Sequence, residues 1–190
     1  MARPRTFAED QAVEAAMIAF WTAGFEATST EHLCAATGLG RSSLYNTFGS
    51  KRELFEKALD RYADQATGAA LELFDGDRPI REKVRDLLLG AVDPAPGRPP
   101  GCLVVNTAVE LGPSDPGIAR LLRRDRRRWV AGLRTAFVTA QAAGEIEPGA
   151  DPGALAEYVH AVLGGIRVAA RAGAPRRTRA AIAETALTAI

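Results

Sequence analysis

The sequence predicts an all-α fold of about nine helices, and three observations lead to that prediction. Apolar residues recur at helical spacing along most of the chain, which is typical of helices that bury one face. Glycine, proline and short polar residues interrupt this pattern where helices are expected to begin and end. No stretch of useful length alternates apolar and polar residues as a strand does. A chain of 190 residues is also long enough to bury a substantial core.

Four helices are predicted in close succession at the N-terminal end. The first carries an apolar face and ends at a glycine. The second begins among the three hydroxyl residues at 28–30 and ends at Gly38, and Gly40 caps the third. Ser50 and Glu53 have the spacing of a capping box, which predicts the start of the fourth helix.

Five further helices are predicted in the rest of the chain. They cover residues 80–92, 102–111, 115–143, 152–172 and 175–190, and a loop rich in proline and glycine covers residues 93–101.

Composition and charge exclude several classes of protein. The 24 basic and 23 acidic side chains leave a formal net charge of +1, so binding to DNA would have to depend on where the charges lie. There is no apolar run long enough for a transmembrane helix and no signal peptide, so a cytoplasmic protein is expected. Two cysteines predict neither a disulfide framework nor a zinc site. His32 and His160 form no triad and no metal or phosphate motif is present, so we expect neither an enzyme nor a cofactor.

Residues 28–55 have the outline of a helix-turn-helix, which predicts double-stranded DNA as the partner. The second helix of such a motif lies in the major groove, where an arginine can bind guanine. Hydroxyl groups at the preceding helix, a lysine on the following helix and the N-terminal arginines suit phosphates or an adjacent minor groove. The predicted DNA-binding residues are Arg3, Arg5, Ser29, Thr30, Arg41, Ser42, Ser43, Tyr45, Asn46 and Lys51. The alternative is a plain helical bundle whose charges form a solvated face.

The same region resembles TetR/AcrR-type transcriptional regulators. Residues 38–55 read GLGRSSLYNTFGSKRELF, which is similar to the signature of that family, and residues 20–29 are similar to the end of its first helix. The resemblance is specific over residues 7–60 and looser beyond them. It implies a homodimer, a palindromic operator, repression, and release of DNA when a small-molecule effector binds. It also implies a helix-turn-helix DNA-binding domain over residues 1–50 and a ligand-binding and dimerisation domain over residues 51–190.

The last two predicted helices carry apolar stripes, with small residues that favour the close approach of a second copy. The predicted dimerisation residues are Leu155, Val159, Val162, Gly165, Ile166, Ala183 and Leu187. The alternative is that these side chains belong to the core of a single chain.

A small-molecule site is predicted around the helix that begins near Cys102. Cys102, Asn106 and Glu110 are spaced by four residues on an otherwise apolar helix, which is typical of a pocket wall with a few hydrogen bonds. The predicted ligand-binding residues are Tyr62, Cys102, Asn106, Glu110, Trp129, Phe137 and His160. As alternatives, the aromatic residues are ordinary core, Asn106 satisfies a loop carbonyl, and Glu110 is solvated.

Cys102 also suggests a thiol sensor. It lies on the first turn of a predicted helix, where the dipole favours a thiolate, after a loop expected to leave it accessible. Reaction with an electrophile or oxidant would then trigger release of DNA; the alternative is an inert buried cysteine. The arginine-rich segment 120–128 is interpreted mainly as a solvated face, with the route of an anionic ligand or contact with flanking DNA as alternatives.

The sequence therefore predicts a ligand-responsive, dimeric transcriptional regulator. One alternative is a helical dimer that binds a ligand or partner and has only vestigial DNA binding. The other is a repressor that senses electrophiles or oxidants through Cys102. Neither the effector nor the operator sequence is predicted.

Overall fold

Nine α-helices form most of the part of the chain that the computed structural model describes, residues 5–93 and 95–190. They are α1 (Arg5–Ala23), α2 (Thr30–Thr37), α3 (Arg41–Phe48), α4 (Lys51–Glu72), α5 (Ile80–Val92), α6 (Leu103–Glu110), α7 (Pro116–Ala142), α8 (Pro152–Arg171) and α9 (Arg176–Ala186), and a 3-10 turn follows at Leu187–Ala189. The described residues contain no strand, and the all-α prediction is confirmed. No helix among them combines the length and the apolar character that crossing a membrane requires.

Side-chain caps determine where α2 and α4 begin. The Ser29 hydroxyl accepts a hydrogen bond from the His32 amide at 3.2 Å, and the His32 ring accepts one from the Ser29 amide at 3.4 Å. At α4 the Ser50 hydroxyl accepts a hydrogen bond from the Glu53 amide at 3.1 Å, as predicted. The reciprocal half of that predicted capping box does not form, because the Ser50 amide donates to the Phe48 carbonyl at 3.0 Å instead.

The first of two apolar cores joins α1, α2, α3 and α4 to α6 and the start of α7. Phe20 is fully buried in it, and its ring lies 5.0 Å from that of Phe55 in an edge-to-face arrangement. α2 buries only Leu33, and α3 buries Leu44 and Phe48. Two helices of eight residues with so few buried side chains depend on α1 and α4 for their stability. Most of their remaining surface therefore faces solvent.

The second core joins the end of α4 to α5, α7, α8 and α9. Phe137 of α7 is fully buried in it, so its predicted role in ligand binding is wrong. The same core buries four of the residues predicted for dimerisation, namely Val159, Ile166, Ala183 and Leu187. For these four residues the prediction is wrong, because their side chains pack against other helices of their own chain. For Leu155, Val162 and Gly165 it stays a prediction.

α4 runs through both cores and connects them. Leu54, Phe55 and Leu59 of its first half pack in the first core, and Ala70 near its end packs in the second. A helix of 22 residues spans about 33 Å. α4 therefore forms a continuous connection between the short N-terminal helices and the rest of the chain.

Candidate DNA-binding surface and ligand cavities

The outer face of α3 is the candidate surface for DNA. Its exposed side chains include Arg41, Ser42, Ser43 and Asn46. Leu44, on the opposite face, is fully buried and holds the helix against the first core. Gly40 precedes the helix in an extended conformation and supplies no side-chain cap. An arginine on the first turn of such an exposed helix has the reach to bind a base edge in the major groove.

Tyr45 ties α3 to α2. Its hydroxyl oxygen lies 2.7 Å from that of Thr30, so one hydrogen bond joins the two helices. The Tyr45 ring lies 6.0 Å from the guanidinium carbon of Arg41, at the limit of a cation–π contact. Thr30 and Tyr45, two of the predicted DNA-binding residues, therefore bind each other across the two helices. Their hydrogen bond sets how α3 lies on α2, and the Tyr45 ring lies beside Arg41.

Lys51 lies at the start of α4 against the turn between α1 and α2. Its ammonium group lies 4.5 Å from the centre of the Phe25 ring and donates a hydrogen bond to the Glu26 carbonyl at 3.5 Å. Ser29 follows three residues later and uses its hydroxyl to cap α2. Arg3 lies outside the described residues, as does the side chain of Arg5, so their contacts with DNA stay predictions.

The acidic side chains of α1 are paired with basic residues of α4. Glu9 lies 3.2 Å from Lys57, Asp10 lies 2.9 Å from Arg61, and Glu14 lies 3.3 Å from the same guanidinium group. In the described part of the chain, no carboxylate lies within ion-pair distance of the arginine that begins α3. The positive charge at the start of α3 is therefore available to a phosphate or a base.

Two cavities lie next to each other in the larger part of the molecule. The α5 cavity, of about 440 Å³, is bounded by α1, α4, α5, the loop before α6, and α8. The α6 cavity, of about 280 Å³, is bounded by α4, α6, α7 and α8. Tyr62, Ala66 and Arg167 line both of them, so these three residues form the wall that separates the cavities.

The α6 cavity contains titratable groups whose ionisation is changed by burial. Burial lowers the pKa of His160 below its ordinary value, and the ring packs edge-on against Trp129 at 5.7 Å. Burial raises the pKa of Asp125, whose carboxylate accepts a hydrogen bond from the Thr67 hydroxyl at 2.7 Å. Burial also raises the pKa of Tyr62 far above its ordinary value, so its hydroxyl stays protonated and can donate.

Cys102 lies at the wall of the α6 cavity, but the expectation that its thiol is accessible to solvent is wrong. The residue is 1% exposed and precedes α6 as its N-cap in an extended conformation. A guanidinium nitrogen of Arg167 lies 3.5 Å from its sulfur. The residue is part of the lining of the α6 cavity, so a molecule inside that cavity would reach the thiol.

The structure brings four of the seven predicted ligand-binding residues to these cavities: Tyr62, Cys102, Trp129 and His160. Asn106 and Glu110 line neither cavity, because a different face of α6 meets the α6 cavity. The α6 residues that line the cavity are Val104, Val105, Ala108 and Val109. The amide nitrogen of Asn106 is instead buried without a hydrogen-bond partner in the described chain.

Glu110 connects α6 to the turn between α1 and α2. Its carboxylate accepts hydrogen bonds from the amides of Phe25 at 3.1 Å and Glu26 at 2.9 Å. Gly24 begins this turn with φ +88°, and a Cβ atom there would lie 2.9 Å from a Glu110 oxygen. The end of the helix that lines the α6 cavity is therefore bound directly to the segment that precedes α2.

Two arginines make further connections between the N-terminal helices and the rest of the molecule. Arg171, at the end of α8, donates to the Thr22 carbonyl at 2.8 Å, where a cation complements the C-terminus of α1. Arg52 of α4 forms a two-pronged ion pair with Asp115, with one nitrogen–oxygen distance of 2.9 Å. The Arg52 guanidinium lowers the pKa of Asp115 to about 2.

Sequence reasoning missed Arg167, although a signal was present. Arg167 is the only charged side chain between residues 161 and 170, in an otherwise apolar stretch. A single charge on a helix that is mostly buried usually has a partner or a ligand. The connections made by Arg171 and Arg52 had no comparable signal, because each joins residues more than sixty positions apart.

Comparisons with known proteins agree with this arrangement. Residues 12–58 match the family described as "Bacterial regulatory proteins, tetR family", and residues 76–185 match "Tetracyclin repressor-like, C-terminal domain". The chain is 33% identical to the HTH-type transcriptional repressor ComR of Escherichia coli strain K12 over 188 residues, which cover 97% of this chain and 90% of that protein. It is 30% identical over 163 residues to the uncharacterized HTH-type transcriptional regulator YezE of Bacillus subtilis strain 168, with 84% of each covered.

A solved structure extends the agreement to the whole fold. It is a cysteine-substituted form of the TetR family transcriptional regulator CifR in complex with 26-base-pair double-stranded operator DNA. The two structures superpose with a TM-score of 0.87 at 33% sequence identity, and the match covers 99% of both chains. Because the family match covers more than half of the chain and the relatives span nearly all of it, this protein belongs to the TetR family of transcriptional regulators.

Proposed function

We propose that this protein is a repressor that binds a palindromic operator as a homodimer and releases it when a small-molecule effector occupies its cavities. The exposed face of α3, held on α2 by Tyr45 and without an ion-pair partner for Arg41 among the described residues, carries the proposal. We assign DNA binding to residues 1–50, ligand binding and dimerisation to residues 51–190, and the site of action to the cytoplasm, where the operator lies. The relative CifR, solved with its operator DNA, and ComR, named as a repressor, support this assignment.

The operator contact is tested with Arg41→Ala. Loss of one base contact is expected to weaken operator binding by about 1–3 kcal/mol and to relax the preference for one base pair of each half-site. Lys51→Ala should weaken binding to all DNA sequences by a similar factor. It should also reduce the slope of log K against log salt concentration by about one, because one phosphate contact is lost. Arg134→Ala, at an exposed position of α7, is the matched control.

The measurement is fluorescence anisotropy with the DNA that flanks the protein's own gene, across a salt series. Saturable binding to one palindromic fragment that Arg41→Ala weakens and Arg134→Ala does not would support the proposal. Binding by the wild-type protein that is no tighter than to random DNA, at every flanking fragment, would contradict it and favour a helical dimer with vestigial DNA binding.

Dimerisation is proposed through the outer face of α8 and α9 instead of the stripe that the core buries. Tyr158, Val168 and Ile182 are 38%, 50% and 37% exposed, which is unusual for large apolar side chains. Gly165 lies between the two α8 residues with open space around it, so a second copy can approach the backbone closely. Predicted residues Leu155, Val162 and Gly165 remain at or near this surface.

This interface is tested with Val168→Arg and measurement of the molar mass in solution by light scattering. A buried charge without a partner is expected to convert the dimer to a monomer. Val138→Arg, at an exposed apolar position of α7, serves as the control and should leave the dimer intact. A dimer that survives both Val168→Arg and Ile182→Arg would contradict the proposed interface.

Effector binding is proposed to act through α6 and α8, which line the cavities and contact the N-terminal helices at their ends. A ligand that displaces α6 would move Glu110, and with it the turn that precedes α2. Displacement of α8 would move Arg171, which holds the end of α1. Both half-sites must fit the operator together, so a small change in the separation of the two α3 helices is enough for release.

A thiol-sensing repressor is the second candidate, and the proximity of Arg167 to the Cys102 sulfur is the observation that favours it. Burial of the thiol restricts this chemistry to electrophiles that enter the α6 cavity. The test is release of operator DNA by N-ethylmaleimide and smaller electrophiles, with Cys34→Ser as the control. Unchanged release in Cys102→Ser would rule out this candidate.

A further inference from the structure

We infer that the effector is an organic anion whose carboxylate or equivalent acidic group binds Arg167, while its apolar body fills the α6 cavity. The inference rests on the proposed function for its regulatory meaning, and it names the chemical class of ligand for that site. The observation behind the inference is the position of the Arg167 side chain in the wall between the two cavities.

Arg167 is half-buried and faces both cavities from α8. Its single hydrogen bond among the described residues is the weak contact to the Cys102 sulfur at 3.5 Å. A guanidinium group carries five N–H donors, so most of the hydrogen-bonding capacity of this side chain is unused. Removing such a charge from water without a partner is costly, and a bound anion would remove that cost.

Two other arginines near the cavities already have partners: Arg98 lies 2.9 Å and Arg126 lies 2.6 Å from the oxygen of a glutamate. Arg123, which also lines the α6 cavity, is exposed to solvent. In contrast, Arg167 is partly buried, and within the described part of the chain no carboxylate lies within ion-pair distance of it. Arg167 is therefore the partly buried cation of this region that is left for a ligand.

Asp125 is the one acidic residue in the lining of the α6 cavity, and it forms no ion pair with Arg167. Its carboxylate accepts a hydrogen bond from the Thr67 hydroxyl, which holds it toward α4. The lining also contains three arginines, so the charge balance disfavours a cationic ligand and favours an anion.

Tyr62 supplies a second donor beside Arg167. The phenol lies in the wall shared by both cavities and stays protonated, because burial raises its pKa. A guanidinium group and a phenol on one wall match the two oxygens of a carboxylate. The lining also contains apolar side chains, among them Val104, Val105 and Leu122. A cavity of about 280 Å³ suits a small amphipathic acid.

The test uses matched pairs in which only the charge of the ligand changes: octanoate with octanamide, benzoate with benzamide, and 2-naphthoate with 2-naphthamide. Binding to the full-length protein is followed by tryptophan fluorescence. The chain has two tryptophans, of which Trp21 lines the α5 cavity and Trp129 the α6 cavity. Trp21→Phe and Trp129→Phe therefore show which cavity is occupied.

At least one acid is expected to bind about tenfold or more tightly than its amide, because a charge-assisted contact is stronger than a neutral one. Arg167→Gln should remove this difference, and Arg167→Lys should retain part of it. Arg134→Gln is the control on an exposed arginine. Circular dichroism melting of each variant verifies that it folds.

Amides that bind as tightly as all three acids, acids that do not bind up to their solubility limit, or an unchanged preference in Arg167→Gln would each overturn the inference. Operator binding by the wild-type protein is measured separately. If acids bind but no operator is found, the proposed function fails while the anion site stands. If neutral compounds release the operator and acids do not bind, the anion site fails while the proposed function stands.

Discussion

Replacing Glu110 tests whether α6 holds the turn between α1 and α2. The Glu110 carboxylate accepts two backbone hydrogen bonds, from the Phe25 amide at 3.1 Å and from the Glu26 amide at 2.9 Å. Glu110→Ala removes both acceptors, and Glu110→Gln keeps one oxygen but points an amide N–H at the other donor. The alanine variant is therefore expected to be the less stable of the two.

The expected loss of stability follows from the surroundings of these two hydrogen bonds. A hydrogen bond to a charged group contributes about 1.5–3 kcal/mol when it is protected from water, and a typical one contributes about 0.5–1.5 kcal/mol. The bond from Phe25 is partly buried and the bond from Glu26 is exposed, so the lower range applies. We expect Glu110→Ala to lower the free energy of unfolding by about 1–3 kcal/mol and Glu110→Gln by about 1 kcal/mol.

The assay is thermal unfolding by calorimetry at one fixed protein concentration, because the proposed dimerisation would make Tm depend on concentration. Each kcal/mol should lower Tm by about 2–4 °C for a chain of this size. Glu72→Gln, at an exposed position near the end of α4, is the matched control. Operator affinity is measured on the same samples at 25 °C, where the variants remain folded, so a loss of affinity reports a local change in the turn.

A Tm of Glu110→Ala equal to that of the control would refute the reasoning, because the two hydrogen bonds would then contribute nothing. A lower Tm with unchanged operator affinity would leave the stabilising role intact. It would show, however, that the turn does not influence how α2 and α3 meet DNA.

Three further predictions concern strain and titration. Gly24→Ala should lower Tm more than Gly144→Ala. Both glycines have positive φ, but only the Cβ at position 24 would contact Glu110. In a Glu110→Ala background the two alanine substitutions should therefore lower Tm by similar amounts. Asp115 has a folded pKa of about 2 against an ordinary 3.8, so its stabilisation is present above pH 3.8 and lost as pH falls toward 2; the difference in Tm between wild type and Asp115→Asn should shrink over that window. Burial lowers the pKa of His160 below 6.5, so the unfolded chain binds the proton more readily and stability falls as pH drops below about 6.5; His160→Gln should weaken this dependence in melts between pH 8 and 5.

The helix-turn-helix could be predicted from the sequence because its signals are local. Ser29 and Ser50 accept hydrogen bonds from amides three residues away, and Gly38 ends α2 with φ +70°. Each of these interactions involves residues that are close in sequence, so a single short segment contains the whole signal. The resemblance of residues 38–55 to a known family rests on the same segment.

The dimer surface could not be assigned in the same way. α8 is apolar on more than one side, and a stripe that faces the chain's own core has the same spacing as one that faces a second copy. Ile166 is fully buried, whereas Val168, two residues later, is half exposed. The choice between these faces depends on where α5 and α7 pack, which the sequence of α8 alone does not contain.

The ligand site was only partly predictable for a related reason. Cys102 is the extended N-cap of α6, so the spacing from Cys102 to Glu110 is not wholly helical and does not identify the face that meets the cavity. Glu110 finds its partners 84 and 85 residues earlier in the chain. Arg167 carried a local signal, an isolated charge in an apolar helix, but its lack of an acidic partner is visible only in the folded structure.

Glu110 and Arg171 both bind backbone groups at the C-terminal end of α1 and in the turn that follows it. Arg171 binds the carbonyl of Thr22, and Glu110 binds the amides that follow Gly24. The cation complements the partial negative charge at the C-terminus of α1, and the carboxylate satisfies two amides of the turn that follows. A ligand that moves either α6 or α8 must therefore stretch contacts at the same point.

Because coupling between two sites is reciprocal, operator DNA must weaken effector binding by the factor by which the effector weakens operator binding. Variants that remove these contacts should reduce both effects together and leave effector binding to the DNA-free protein intact. Titration of an effector with and without operator, in wild type and in Glu110→Ala, would measure that factor directly. Equal coupling in the two proteins would show that the Glu110 contacts do not transmit it, and would leave the Arg171 and Arg52 contacts and the continuous helix α4 as the connections that do.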